Sequence, residues 1–226
     1  MKKQKIKCKA VIFDLWDTLF FHGLASSPMS EIKKLLVSAG AKDKEIFPAM
    51  HKTIMVKNFG ENFINFDELS KMLGIKITLR LKNELKKSWI DGGNSTILFE
   101  DVLTTLNELK KHYKLGLLSN TTSYRMHYLV KKFELEKYFD AMLFSFDIGI
   151  AKPDKKAFEL IAQKLGIKCS DCIFVGDQLA PDVLGSANAG MKPILIDREH
   201  KYSSKPKEAV AMINSLNELK ELLEKG

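Results

Sequence analysis

This sequence predicts an α/β fold, a Rossmann-like, doubly wound parallel sheet carrying an inserted helical domain, and three observations lead there. Short apolar runs alternate with helical patterns from residue 96 onward, each run is apolar on both faces, and residues 21–95 hold helical patterns with no clear strand among them. A strand covered on both faces has no solvent side, so its sequence does not alternate; that is the mark of a parallel sheet between two helical layers.

The elements follow in order. "CKAVIFDL" at 8–15 reads as the first strand. Then come four amphipathic helical patterns, "MSEIKKLLVSAG", "DKEIFPAMHKTIMVKNF", "FDELSKMLG" and "ITLRLKNELKKSWI", bordered by the loop-like "FHGLASSP" and "DGGNS", where Gly92 and Gly93 offer a hinge. Strands resume with "KLGLLSN" (114–120), "AMLFSF" (141–146), "CIFVGD" (172–177) and "PILID" (193–197). The stripes Val102, Leu103, Leu106, Leu109 and Phe158, Ile161, Ala162, Leu165 mark crossover helices between them. The expectation is five parallel strands, with residues 1–20 and 96–226 as the core domain and 21–95 as a helical insertion.

Composition narrows the function. The chain of 226 residues is 45% hydrophobic and carries a net charge of +8, but only Arg80, Arg125 and Arg198 are arginines. Bidentate contacts to phosphates and bases favour arginine, so the lysines read as a solvated surface and no specific nucleic-acid partner is expected. No apolar run approaches the roughly 20 residues of a membrane span, and the basic start "MKKQKIKCK" meets Asp14 too soon to read as a signal peptide. A cytoplasmic protein is expected, with Cys8, Cys169 and Cys172 reduced and structural. The sequence gives no oligomeric state.

Polar residues of particular kinds end the strands: Asp14 after the first, Ser119 and Asn120 after the second, Gly176 and Asp177 after the fourth. The carboxyl ends of an open parallel sheet frame its ligand crevice, so these side chains converge. Asp14, Asp177 and Asp182 crowded together call for a cation, and oxygen ligands suit Mg²⁺. With Lys152 as a second positive charge, the set suits a phosphoryl group and an aspartate nucleophile.

Four segments, "FDLWDTL", "LGLLSN", "AKPD" and "VGDQLAPD", resemble, in order, the four motifs of the haloacid dehalogenase (HAD) superfamily. The insertion at 21–95 lies where its members with a helical, C1-type cap carry theirs. The resemblance implies a Mg²⁺-dependent phosphatase acting on a small phosphorylated compound through an aspartyl-phosphate. Asp14 is then the nucleophile, Ser119 binds the transferring phosphoryl group, and Lys152 holds nucleophile and phosphate together. Asp14, the main-chain carbonyl of Trp16, Asp177 and Asp182 (second ligand or support) hold the metal. Thr18, Asn120 and Trp16 complete the expected substrate contacts, Thr18 by orienting the turn.

The departure is Trp16. The phosphatases of this superfamily have an aspartate there that protonates the leaving oxygen, and tryptophan cannot do so. Asp17 reads as a turn carboxylate rather than a substitute, because successive residues near a strand end point in different directions. Two alternatives follow: dehalogenase-like C–X hydrolysis, whose enzymes carry an aromatic residue at this position, and a phosphate-binding protein with little turnover. The retained acidic fourth motif favours phosphoryl chemistry, since dehalogenation needs no metal. His22 reads as a solvated loop histidine, the alternative being one that faces the substrate or assists proton transfer, and His51 reads as a helical or loop histidine without a partner. Phe47, Met50, Ile54 and Met55 read as cap core, whereas Phe20, Phe21 and Trp16 are placed to close the crevice.

Overall fold

The structure is a computed structural model that describes residues 5–24, 26–59, 65–124 and 126–223. Its strands are β1 (Ala10–Phe13), β2 (Phe20–His22), β3 (Thr96–Leu98), β4 (Lys114–Ser119), β5 (Ala141–Phe144), β6 (Cys172–Gly176), β7 (Lys192–Ile196) and β8 (Ala211–Ile213). Six of them form one parallel sheet in the order β5-β4-β1-β6-β7-β8. β1 lies at its centre, with Val11 opposite Leu115 on one side and Ile173 on the other, and all four of its residues are buried. Full burial on both faces is why "AVIF" shows no alternation.

The crossover helices lie where their apolar stripes demand. α5 (Val102–Leu109) buries Val102, Leu106 and Leu109; after α6 (Met126–Lys132) and the short α7 (Ser145–Ile148), α8 (Lys155–Leu165) buries Phe158, Ile161 and Leu165. Gly116 lets α8 approach: a Cβ there would lie 3.0 Å from Leu165 Cδ1 and 3.1 Å from Ile12 Cγ1.

Four expectations are corrected. The sheet has a sixth strand, β8, too short at three residues to show a pattern. The strand expected over 141–146 ends at Phe144, and Ser145–Ile148 turns into a helix closed by Gly149 at φ +68°. The first strand runs only from Ala10 to Phe13. Finally, a separate antiparallel pair, β2 with β3, joins the two borders of the insertion, matching Phe20 to Leu98 and His22 to Thr96.

Between β2 and β3 the chain forms α1 (Pro28–Ser38), α2 (Asp43–Met50), a wide turn at His51–Met55, α3 (Asp67–Leu73) and α4 (Leu79–Asn94). Ser27 and Thr78 cap α1 and α4 by accepting from Ser30 N and Leu81 N. These helices bury an apolar cluster of their own, including Ile32, Leu36, Ile46, Met50, Leu69 and Leu85. No described helix is long and apolar enough to cross a membrane.

Candidate active site

β1 delivers Asp14 to the carboxyl edge of the sheet, where its N–H donates to Val175 O of β6 at 2.9 Å. Asp14 is buried, and Lys152 Nζ donates to its Oδ1 at 2.6 Å. The same ammonium donates to Asp182 Oδ1 at 2.6 Å, so one buried cation serves two carboxylates. Lys152 is fixed through its main chain: its N–H donates to Asn120 Oδ1 and its carbonyl accepts from Asn120 Nδ2, both at 2.8 Å. Asn120 lines the cavity, and its amide also holds Lys152 in place.

Gly176 makes room for the third carboxylate. A Cβ there would lie 2.5 Å from the Asp182 carboxyl, whose Oδ2 accepts from Gln178 N at 3.0 Å. One oxygen each of Asp14, Asp177 and Asp182 lies within 4.8 Å of the others. Burial, with Lys152 working against it and Asp182 adding to it, pushes Asp14 up to about 6. Burial and the charges of Asp14 and Asp182 push Asp177 up to about 8. Lys152 is raised above its ordinary value because both carboxylates outweigh its burial. The site therefore holds more negative charge than its one ammonium balances. Asp177 Oδ1 and Ser119 Oγ are buried without a hydrogen-bond partner, an uncommon state for polar atoms that ligands commonly resolve. An unpartnered carboxylate oxygen beside two more carboxylates fits a divalent cation.

The turn after Asp14 departs from expectation in part. Asp17 takes a left-handed φ of +57° and its N–H donates to Phe20 O at 2.7 Å, which closes the turn. Thr18 is fully buried and its hydroxyl has no partner; it does not line the cavity. Its carbonyl instead accepts from Arg198 Nη2 at 2.8 Å and Nε at 3.1 Å. Arg198 also grips Asp101 through Nη2 and Nη1, at 2.9 and 3.1 Å, and stacks over Phe99 at 3.8 Å. Asp101 accepts in addition from Ser215 Oγ and Leu216 N. Arg198 thus ties the turn behind the nucleophile to α5 and the C-terminal segment. It is missing from the sequence expectations, and its only signal there is being an arginine after a strand in a lysine-rich chain.

A cavity of about 290 Å³ opens beside Asp14, at the small end for a small-molecule site. Trp16 forms one wall: its ring stacks on His22 at 4.7 Å, and Nε1 donates to Thr121 Oγ1 at 3.2 Å. His22 Nδ1–H donates to Gly92 O, which also accepts from Ser95 Oγ and Thr96 Oγ1. Phe20 is buried in the core and Phe21 packs on Phe99, so of the three aromatic residues expected to close the crevice only Trp16 does. Phe47, expected as core, is 44% exposed and lines the cavity. His51 lines it too, with burial and the nearby Lys152 charge lowering its pKa. The insertion is fastened over the site by Ser145, which donates to Met55 O at 2.5 Å and accepts from Thr121 N at 3.1 Å.

The cysteines take no part. All three are unpaired, and burial pushes the Cys8 thiol up to about 11 and that of Cys172 up to about 12, far from the reactive thiolate.

Three carboxylates and an ammonium gathered beyond the central strands of an open parallel sheet define an α/β enzyme. The chain belongs to the haloacid dehalogenase-like hydrolases, whose family model matches residues 8–190. A glyceraldehyde 3-phosphate phosphatase of Methanothermobacter thermautotrophicus is 27% identical over 232 residues, covering 95% of this chain and 99% of the relative. The fold matches a HAD phosphatase of Thermococcus onnurineus with a TM-score of 0.61 at 23% identity, over 94% of this chain and 96% of that one. It matches equally a 2-haloacid dehalogenase of Pseudomonas syringae, with a TM-score of 0.63 at 22% identity over 95% and 97%.

Proposed function

We propose that this hydrolase is a phosphatase that acts on a small phosphorylated compound, with Asp14 as nucleophile. The observation that carries the reading is the acidic cluster: Asp177 keeps an unpartnered buried oxygen next to Asp14, a provision for a cation that dehalogenation does not need. The full-length similarity to a phosphatase of a small phosphorylated sugar supports it.

An Asp14 oxygen attacks phosphorus, and the bond to the leaving oxygen breaks as the new one forms. Water then releases inorganic phosphate and restores Asp14. Lys152 keeps Asp14 ionised and oriented and meets the charge of the transferring group. The unpartnered Ser119 hydroxyl donates to a phosphoryl oxygen. Mg²⁺ would be held by Asp14, Asp177 and the main-chain carbonyl of Trp16, and supplies charge neutralisation at the phosphoryl oxygens. Asp182, with both oxygens already accepting hydrogen bonds, serves mainly to hold Lys152. The helices of residues 21–95 act as a cap over this site, and the setting is cytoplasmic, where the three free thiols persist.

The test is phosphate release from phenyl phosphate and acetyl phosphate with Mg²⁺ or EDTA, in the natural chain and in Asp14→Asn. Metal-dependent release that disappears in Asp14→Asn is expected. Release that survives in Asp14→Asn, or halide release from a 2-haloacid in place of phosphate release, would overturn the reading.

A further inference from the structure

The cavity walls carry information about the substrate beyond its phosphate. We infer that the site selects monophosphates of phenol-like or enol-like hydroxyls whose body is compact, apolar and uncharged. The inference rests on the phosphatase reading above and narrows it.

Three features converge. The first is charge. Among the described residues that line the cavity, Lys152 is the single lysine or arginine, and its ammonium is bonded to Asp14 and Asp182. A carboxylate or second phosphate on the substrate would meet no described counter-ion there, and it would face Asp17 and Asp182 on the same walls. Burying an anion away from any described counter-ion is costly, which disfavours such compounds.

The second is the surface the insertion presents. Met29, Ile32, Phe47, Met55 and Trp89 line the cavity from that side. Phe47 is the telling one: its helix neighbours Ile46, Ala49 and Met50 are buried, while Phe47 keeps 44% of its surface open. An apolar ring left open in a cavity wall gains from a ligand that covers it. His22 and His51, the imidazoles in these walls, can hydrogen-bond a neutral group, such as a carbonyl or a hydroxyl, without demanding charge.

The third is the leaving oxygen. Trp16 stands two residues after the nucleophile, with its one N–H engaged by Thr121 Oγ1 and its ring face against His22. No proton comes from that side chain, which favours a leaving oxygen that can depart as an anion. General acid catalysis is worth about 10² to 10⁴ in rate. Phenols and enols are acidic enough to leave without it, and alkanols are not. The volume of about 290 Å³ leaves room for a body of one ring or its equivalent beside the phosphoryl group.

Three esters separate these features by kcat/KM in Mg²⁺: phenyl phosphate, 4-carboxyphenyl phosphate, which adds a charge while remaining an aryl ester, and benzyl phosphate, which keeps the ring but leaves as an alkoxide. Glyceraldehyde 3-phosphate is the fourth compound. Phenyl phosphate is expected to exceed 4-carboxyphenyl phosphate by at least 10-fold and benzyl phosphate by at least 100-fold. In Phe47→Arg, at a position exposed enough to tolerate the change, the preference against the carboxylate should shrink by 10-fold or more. Equal or faster turnover of 4-carboxyphenyl phosphate or glyceraldehyde 3-phosphate, still abolished by Asp14→Asn, would overturn the inference and leave the phosphatase reading standing. No phosphate from any of the four, with the natural chain and Asp14→Asn alike, would overturn both.

Discussion

Replacing Lys152 by methionine isolates the charge balance of the site. The ammonium is 2% exposed, and it donates at 2.6 Å to Asp14 and to Asp182, themselves 6% and 1% exposed. Methionine fills most of the same volume, so packing changes little and the loss is electrostatic. Removing one partner of a buried ion pair costs about 3–5 kcal/mol, because the charges left behind are desolvated and unpaired. That is a large part of the roughly 5–15 kcal/mol that holds a domain folded. The penalty should depend on pH. Asp14 already titrates near 6 with Lys152 beside it, and without Lys152 it moves higher, so in mild acid Asp14 takes up a proton and the repulsion is relieved. Urea unfolding of the metal-free protein, followed by circular dichroism, should show about 3–5 kcal/mol lost at pH 8 and clearly less at pH 5. Adding Asp14→Asn to Lys152→Met should restore a substantial part of the loss at pH 8. A loss below about 1 kcal/mol at pH 8, or one equal at both pH values, would refute the reasoning that Lys152 is the counter-charge of the site.

Further outcomes are expected elsewhere. Trp16→Asp should raise kcat/KM for benzyl phosphate by up to about 10²-fold relative to phenyl phosphate; an unchanged or lower ratio in a folded variant counts against the missing-donor explanation. Arg198→Met should cost about 3 kcal/mol in urea unfolding, and Arg198→Lys should recover less than half of it, since an ammonium cannot reproduce the paired contacts to Asp101 and Thr18; full recovery by lysine would show that charge alone suffices. In EDTA the natural chain should lose stability as pH rises from about 6.5 to 8. Burial and the neighbouring carboxylates push Asp177 up to about 8 when folded, against near 4 when unfolded, so over this window the folded state binds the extra proton and loses it as pH rises, at a cost of about 1–2 kcal/mol. Burial lowers His22 and His51 in the folded chain, so the unfolded imidazoles hold more protons near pH 6.5 and these two residues offset part of the fall at the acid end of the window. Thermal unfolding at several pH values reads it out, saturating Mg²⁺ should flatten the slope, and a rise in stability with pH in EDTA would contradict it.

What could be read from the residues follows from how local each signal is. β1, β4 and β6 announce themselves because burial on both faces leaves runs of four or more apolar residues, and their ends deliver Asp14, Ser119 and Asp177 by topology alone. β2, β3 and β8 have three residues each, too few for any period to show, and their pairing depends on partners distant in the chain. Ser145 looked like strand because "AMLFSF" is uniformly apolar around it, but its hydroxyl is needed by Met55 and Thr121, and a turn of helix brings it there. Arg198, His51 and the open ring of Phe47 gain their meaning only from tertiary neighbours, which no local pattern encodes. Thr18 shows the reverse: a motif position that reads as substrate contact, yet contributes its carbonyl to a clamp.

The Ser145 hydroxyl joins two segments that would otherwise be separate. It bonds Met55 of the insertion on one side and Thr121 on the other, and Thr121 in turn holds the indole of Trp16. One oxygen thus carries both bonds, so Ser145→Ala removes the tie to the insertion and the support of Thr121 in a single change.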